Sequence, residues 1–328
     1  MTSVLISILN WNASDKTEVC IRSLLPVLQS SDLKIDIRVL DNGSSAQQVS
    51  ELQRVAKIYP LVNFVFNSLN TGFTGGQNSN IQYALDHHYG YVWLLNNDTL
   101  VYPDALGELV SAMESDASCG ASSPVILRMG NPSVVDFCGA IHEWSNIDTI
   151  RPNSLDDAPE FLASHKDKVW AVGTALLIRC ATLRQIGPLN SRFFAYYEDD
   201  DFGARLISTG WHTRIVLSAK IEHACFEGDM YQRPPYFFYL MTRNAVFFAL
   251  AHVPPGFRKN LRIRYITRSF FMAEKLFDLS YAAKTHACLL GLADGLADRG
   301  GPPVLDRTLP LWVRVLRPFL RWWNGREH

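Results

Sequence analysis

The chain has 328 residues, 48% hydrophobic and 19% charged, with a formal net charge of -1, which excludes a disordered or polycationic protein and allows one large or two modest domains. Its six cysteines, Cys20, Cys119, Cys138, Cys180, Cys225 and Cys288, show no CxxC or other metal-ligand spacing, so they read as inert thiols of a reduced compartment rather than a disulfide framework. The longest apolar candidate, YFFYLMTRNAVFFALAHV, carries Arg243, so no membrane-spanning helix is expected.

The opening MTSVLISILNWN lacks a basic leader and a cleavage site and reads as a first strand. A helix follows from Ser14, with Ser14 or Asp15 as its cap. Then come the strand IDIRVLD, a helix, the strand LVNFVF, a helix and the strand YVWLLNND. This βαβα rhythm predicts a mostly parallel sheet flanked by helices. In such sheets ligands bind beyond the carboxyl ends of the strands. Those ends read NWN (Asn10 to Asn12), DNGSS (Asp41 to Ser45), NTGFTGGQN (Asn70 to Asn78) and NND (Asn96 to Asp98).

Asp104, after Pro103, is placed to cap the next helix. The polar stretch Arg151 to Lys168, with two prolines, reads as a mobile loop near the site. VWAVGTALLIR reads as a buried strand, DFGARLISTG as a helix ending at Gly210, and HTRIVL and AKIEHACF as strand-like. From Tyr236 the pattern is helical. Residues 258 to 328 hold 13 Lys/Arg against 6 Asp/Glu, leaving 18 against 26 in the rest. An acidic body therefore carries a basic tail.

Several residues at the strand ends offer chemistry, each with a plain structural alternative. Asp41 either closes an Asx turn with Asn42 and Gly43 or accepts hydrogen bonds from a nucleobase or ribose. Gly72, Gly75 and Gly76 follow the third strand at the wrong spacing for a dinucleotide fingerprint. They either start a helix or let its free amides approach a phosphate or sugar. Asn96 and Asp98 offer hard oxygen ligands suited to Mg²⁺ or Mn²⁺, though Asn and Asp also simply end strands. His223 alone reads as a satisfied core histidine and gains interest beside Asp98. FAYYEDDDF sets Glu198, Asp199, Asp200 and Asp201 among aromatic rings. Adjacent carboxylates repel, so the run needs a purpose.

Taken in order, NWN, DNGSS, NTGFTGGQN, LLNNDT, VGTALLIR, YYEDDDFGARL and the histidine of IEH resemble family 2 glycosyltransferases of the GT-A fold, especially bacterial rhamnosyltransferase-like members. The match covers about residues 3 to 225, and YLMTRN and GLADGLADRGG resemble the family's C-terminal helices. The resemblance implies a GT-A α/β domain over residues 1–228 and a C-terminal helical region over residues 229–328.

By the same resemblance, the function is inverting, metal-dependent transfer of a sugar, most plausibly rhamnose from dTDP-rhamnose, to a glycan or lipid-linked acceptor in bacterial surface polysaccharide synthesis. The donor site would comprise Asn10, Asn12, Asp41, Asn42, Gly72, Gly75, Gly76, Asn78, Asn96 and Asn97. Asp98, His223 and Asn96 would hold Mg²⁺ or Mn²⁺, with Asn96 replacing the first Asp of the family's Asp-x-Asp motif. Asp199 would be the catalytic base, with Glu198 capping the helix or touching acceptor hydroxyls. Asp201 is explained by an i,i+4 pair with Arg205, and Asp200 is expected to face solvent.

Residues 308–323 interleave Arg314, Arg317 and Arg321 with Trp312, Leu316, Phe319, Trp322 and Trp323. That pattern suits either an anionic membrane surface or packing on its own domain or on a second subunit of a homodimer. Nucleic acid binding is not expected. The implied location is the cytoplasm, with peripheral contact at the inner face of the cytoplasmic membrane. A nucleotidyltransferase making a nucleotide sugar would need a Gly-rich basic loop after the first strand, which is missing. A non-catalytic glycan-binding protein would not need Asp41, Asp98, Asp199 and His223 together.

Overall fold

The computed structural model describes residues 1–30, 33–145, 148–226 and 228–324, with backbone alone at residues 30, 259–262 and 318–324. The strands are β1 (Ser3–Asn10), β2 (Lys34–Asn42), β3 (Asn63–Asn67), β4 (Tyr91–Asn96), β5 (Thr99–Val101), β6 (Cys119–Arg128), β7 (Asn131–Phe137), β8 (Ile141–Glu143), β9 (Asp148–Ile150), β10 (Ala175–Arg179) and β11 (His212–His223). The helices are α1 (Ser14–Ser30), α2 (Ala46–Ile58), α3 (Gly72–Asp86), α4 (Ala105–Glu114), α5 (Ala158–Ser164), α6 (Cys180–Ile186), α7 (Glu198–Ser208), α8 (Pro235–His252), α9 (Arg258–Asp278), α10 (Ala282–Leu296) and α11 (Leu311–Asn324). The described residues fall into two compact units, one of residues 1–142, 149–190 and 198–226, the other of residues 143–148, 191–197 and 227–328.

The first unit is built on a sheet of order β3-β2-β1-β4-β10-β6-β11-β5, with β7 added to β6. Its β3-β2-β1-β4 half is parallel throughout. Val4, Leu5, Ile6 and Ile8 of β1 are all buried, because helices cover both faces and both side-chain rows must be apolar. The register sets Asn10 beside Asp41 and Leu9 beside Asn96, so the polar strand ends form one edge.

β10 then enters antiparallel between β4 and β6. It is shorter than the sequence suggests, because residues 171–174 approach it as a loop. The two strand-like runs after Gly210 are one strand, β11, with a register shift between Val216 and Lys220. Residues 151–168 contain α5, whose buried Ala158 packs with Val125, Leu127 and Cys138, so that stretch is not loop throughout.

Asp104 occupies the N-cap position of α4 without a side-chain capping bond, and the Ser14 hydroxyl donates to Gln48 Oε1 at 2.8 Å. All six cysteines are free, and all but Cys225 are buried. Burial pushes the thiol of Cys20 up to about 12 and those of Cys119, Cys180 and Cys288 up to about 11, which keeps them protonated and unreactive.

The second unit is helical around a core of Phe238, Val246, Phe270, Leu276, Leu289 and Leu292. A Cβ at Gly291 would lie 2.3 Å from the Tyr239 carbonyl oxygen, so glycine there allows α10 to close onto α8. Buried Arg243 donates from Nη2 to Phe193 O at 2.9 Å. Buried Asn244 donates from Nδ2 to the carbonyls of Phe193, Ala195 and Tyr196 at 2.9, 2.7 and 2.8 Å. Tyr196 meets Phe237 edge-on at 5.3 Å and Tyr197 lies 5.9 Å from Phe248, so these rings pack. Phe202 is buried in the core of the first unit.

Among the described residues no helix is long and apolar enough to cross a membrane.

Candidate active site

The carboxyl edge of the first unit is a connected polar network. Asp41 is fully buried, and its Oδ1 accepts from Asn10 Nδ2 at 2.7 Å and Ser44 Oγ at 2.6 Å. Its Oδ2 accepts from Ser44 N at 3.1 Å, which closes the expected Asx turn. Asn10 Oδ1 accepts from Thr17 Oγ1 at 2.7 Å, and Asn97 Nδ2 donates to the same hydroxyl at 2.9 Å. Exposed Asn12 accepts from Ser45 N at 2.8 Å. The ends of β1 and β2 and the turn after β4 are thereby tied together.

Asn42 fixes the start of α3. Its Oδ1 accepts from Thr71 N at 3.1 Å and Thr71 Oγ1 at 2.9 Å, while its Nδ2 donates to Gly72 O at 2.9 Å. Gly72, Gly75 and Gly76 form the first turns of that helix. A Cβ at Gly76 would come within 2.4 Å of Leu9 Cδ1, so this glycine brings the helix start close to β1. Asn78 lies further along the helix and engages Leu189, donating to its carbonyl at 2.7 Å and accepting from its N–H at 3.0 Å.

Asp98 sits in the turn after β4. The antiparallel pairing of β5 with β11 sets His223 opposite Thr99, one residue beyond Asp98. His223 Nε2 accordingly lies 3.3 Å from Asp98 Oδ1, and Lys16 Nζ lies 3.8 Å from Asp98 Oδ2. Burial opposes protonation of His223, but the carboxylates of Asp136 and Asp98 outweigh it and lift its pKa to about 9. Burial alone would raise the Asp98 carboxyl; contact with His223 and Lys16 instead holds it below the usual aspartate range.

The acid run begins α7. Asp199 Oδ2 accepts from Gly173 N at 2.9 Å and its Oδ1 from Asp200 N at 3.0 Å. Asp201 pairs with Arg205 Nε at 2.8 Å, while Arg205 Nη1 and Nη2 donate to the Ile186 and Pro188 carbonyls, both at 2.8 Å. Asp200 does not face open solvent. It is partly buried, 3.7 Å from His142 Nε2, and that imidazole stacks on Trp170 at 5.0 Å. Glu198 is buried with Oε2 unpartnered among the described residues. Burial and the neighbouring Asp199 charge push both Glu198 and Asp200 well above the usual carboxylate range.

Residues 3–135 match the model of glycosyl transferase family 2. That match takes in β1 to β6 and most of β7. The chain is 25% identical over 227 residues to N-acetylglucosaminyl-diphospho-decaprenol L-rhamnosyltransferase of Mycobacterium tuberculosis, covering 62% of this chain and 70% of that protein. It is 26% identical over 283 residues to the low-salt glycan biosynthesis hexosyltransferase Agl10 of Haloferax volcanii, covering 81% of this chain and 84% of that one. The solved mannosyltransferase PcManGT of Pyrobaculum calidifontis, in complex with GDP-Man and Mn²⁺, superposes with a TM-score of 0.55 at 17% identity, over 98% of this chain and 83% of that one. The fold is GT-A.

The donor atoms at this edge can be tested for a divalent cation. Adjacent ligands of octahedral Mg²⁺ lie about 3 Å apart for bonds of about 2.1 Å. Asp98 Oδ1 and His223 Nε2, at 3.3 Å, fit that edge, and both are donors suited to Mn²⁺. The backbone N–H of Asn96 donates to Thr174 O at 2.8 Å.

Sequence reasoning missed Lys16, Asp136, Cys225 and Gly173. Asp136 Oδ2 lies 3.5 Å from His223 Nδ1 and Cys225 Sγ 3.9 Å from it. The donor atoms of Asp136, His223 and Cys225 all fall within 4.8 Å of one another. One signal was available for Asp136, an acid within the apolar run VVDFC.

Proposed function

We propose that the enzyme transfers a hexosyl group with inversion from a nucleoside-diphosphate sugar to a glycan or lipid-linked acceptor, with rhamnose from dTDP-rhamnose as the first donor to test. The observation that carries this reading is the pairing of Asp98 with His223 at the carboxyl edge of the sheet. The rhamnosyl and hexosyl relatives supply the sugar class by their names, and the GDP-Man and Mn²⁺ of PcManGT supply the kind of donor and metal.

Asp98 and His223 would hold Mg²⁺ or Mn²⁺, with Asn96 beside them. When bound, such a cation neutralises charge developing on the leaving diphosphate. Asp41 and Asn10, with Asn12, Asn42 and Asn97, frame the nucleoside end, and the first turns of α3 at Gly72, Gly75 and Gly76 approach the donor. Asn78 shapes that helix through Leu189 rather than meeting the donor directly. Asp199 takes the acceptor hydroxyl proton as the acceptor oxygen bonds to the anomeric carbon and the bond to the diphosphate oxygen breaks. The Gly173 and Asp200 amides hold the Asp199 carboxylate in place. Glu198, the preceding acid, is assigned to the acceptor side with it.

A lipid-linked acceptor would bring the enzyme to the inner face of the cytoplasmic membrane. Leu311, Trp312, Val315 and Leu316 of α11 are exposed, as a helix lying on an anionic surface requires. Arg317 pairs with Glu274 at 2.6 Å, which leaves Arg314 as the outward charge of this turn. The side chains of Phe319, Arg321, Trp322 and Trp323 lie outside the described residues. Homodimerisation through the same helix is the competing use, and flotation with anionic vesicles against sedimentation of the free protein separates the two.

The deciding experiment incubates the protein with Mn²⁺ or Mg²⁺ and a panel of nucleotide sugars, then reads nucleoside diphosphate release and the anomeric configuration of the first-formed sugar by proton NMR. Inverted product from a hexosyl donor supports the reading. Retained configuration overturns inversion, and turnover of a nucleoside triphosphate with a sugar phosphate would instead mark a nucleotidyltransferase.

A further inference from the structure

The two ring nitrogens of His223 face two different carboxylates. Nε2 lies 3.3 Å from Asp98 Oδ1, and Nδ1 lies 3.5 Å from Asp136 Oδ2. Asp136 reaches this position through an irregularity in β7. The pairing of β6 with β7 steps from Ile126 opposite Phe137 to Leu127 opposite Val135. Asp136 is therefore the extra residue of a β-bulge, a device that re-aims one side chain out of the regular alternation. On the other flank of β6, β11 brings His223 to Arg128. The bulge and the end of β11 thus meet at one imidazole.

We infer that Asp136 is a positioning residue for the metal site, its carboxylate accepting from the Nδ1–H of His223 so that the Nε2 lone pair is aimed at a cation shared with Asp98. This rests on the metal-assisted reading above. Histidine ligands generally donate their second ring N–H to a carboxylate or carbonyl, which fixes both tautomer and ring orientation. Cys225 is the weaker candidate for that task. Its Sγ lies 3.9 Å from Nδ1 and donates to the His223 carbonyl at 3.5 Å.

The test is Mn²⁺ titration of the full chain, with free Mn²⁺ read by electron paramagnetic resonance, in the wild type, Asp136→Ala, Asp136→Asn and Cys225→Ser. Asp136→Ala is expected to weaken Mn²⁺ binding about 10- to 100-fold. Asp136→Asn should recover part of that loss, because its side-chain oxygen still accepts from Nδ1–H while filling the same space, and Cys225→Ser should bind as the wild type does. Unchanged Mn²⁺ affinity in Asp136→Ala overturns the positioning role alone. Loss in Cys225→Ser equal to that in Asp136→Ala, with a thiolate-to-metal absorption band on adding Cd²⁺, also overturns it by making the cluster a ligand set. A wild-type protein that binds no Mn²⁺ overturns the metal reading itself and this inference with it.

Discussion

Gly173 donates its backbone N–H to Asp199 Oδ2 at 2.9 Å. The carbonyl of the next residue, Thr174, accepts from the backbone N–H of Asn96 at 2.8 Å. Two consecutive residues of the loop before β10 thus tie the end of β4 to the first turn of α7. The segment ending at Asn96 and the acid run that opens α7, far apart in sequence, are held by one short piece of backbone.

Asp199→Asn keeps an oxygen for the Gly173 amide and removes only the capacity to take a proton. Transfer should fall about 10²- to 10⁴-fold, the usual worth of a general base, with donor affinity kept. Nucleoside diphosphate release and calorimetric donor binding check the two halves. Wild-type turnover in this variant would move the base elsewhere in the acid run.

Glu198 is a buried carboxyl lifted by its burial and by Asp199. Its folded pKa lies above its unfolded one, so between the two values the folded state binds more protons and stability falls as pH rises. Glu198→Gln keeps the shape and removes this ionisation. The wild type should lose stability with rising pH above the ordinary glutamate range, and the variant should lose less. Denaturant unfolding at a series of pH values measures the difference, and parallel profiles would contradict it.

Phe194, Tyr196 and Tyr197 have φ of 65°, 68° and 69°, a left-handed conformation that disfavours residues with side chains. Asn244 holds this segment by donating to three of its carbonyls. Asn244→Ala should cost roughly 2–3 kcal/mol, the scale of buried acceptors left unpaired. The denaturation midpoint of the full chain reports it, and an unchanged midpoint would mean that packing and the Arg243 bond to Phe193 O hold the segment without Asn244.

The parallel half of the sheet was legible because each strand carries its own signal. The run VLISIL is apolar on both faces, and its exit into NWN marks the polar edge of the sheet. β10 was harder to read, because its antiparallel insertion between β4 and β6 depends on pairing with distant strands. Asp200 was expected in solvent, since four acids in a row look like a surface. His142 and Trp170, distant in sequence, cover it instead. The candidate site was legible wherever a residue ends a strand, as at Asn10, Asp41 and Asp98. It was not where a bulge re-aims a side chain, as at Asp136, or where a backbone amide does the work, as at Gly173.

The most direct measurement is calorimetric binding of the turned-over nucleotide sugar, with and without Mn²⁺, to the wild type, Asp98→Ala and His223→Ala. Metal should tighten donor binding to the wild type at least tenfold, a gain of about 1.4 kcal/mol, and neither variant should show that gain while both still fold. Equal tightening in all three proteins would contradict a cation held between Asp98 and His223.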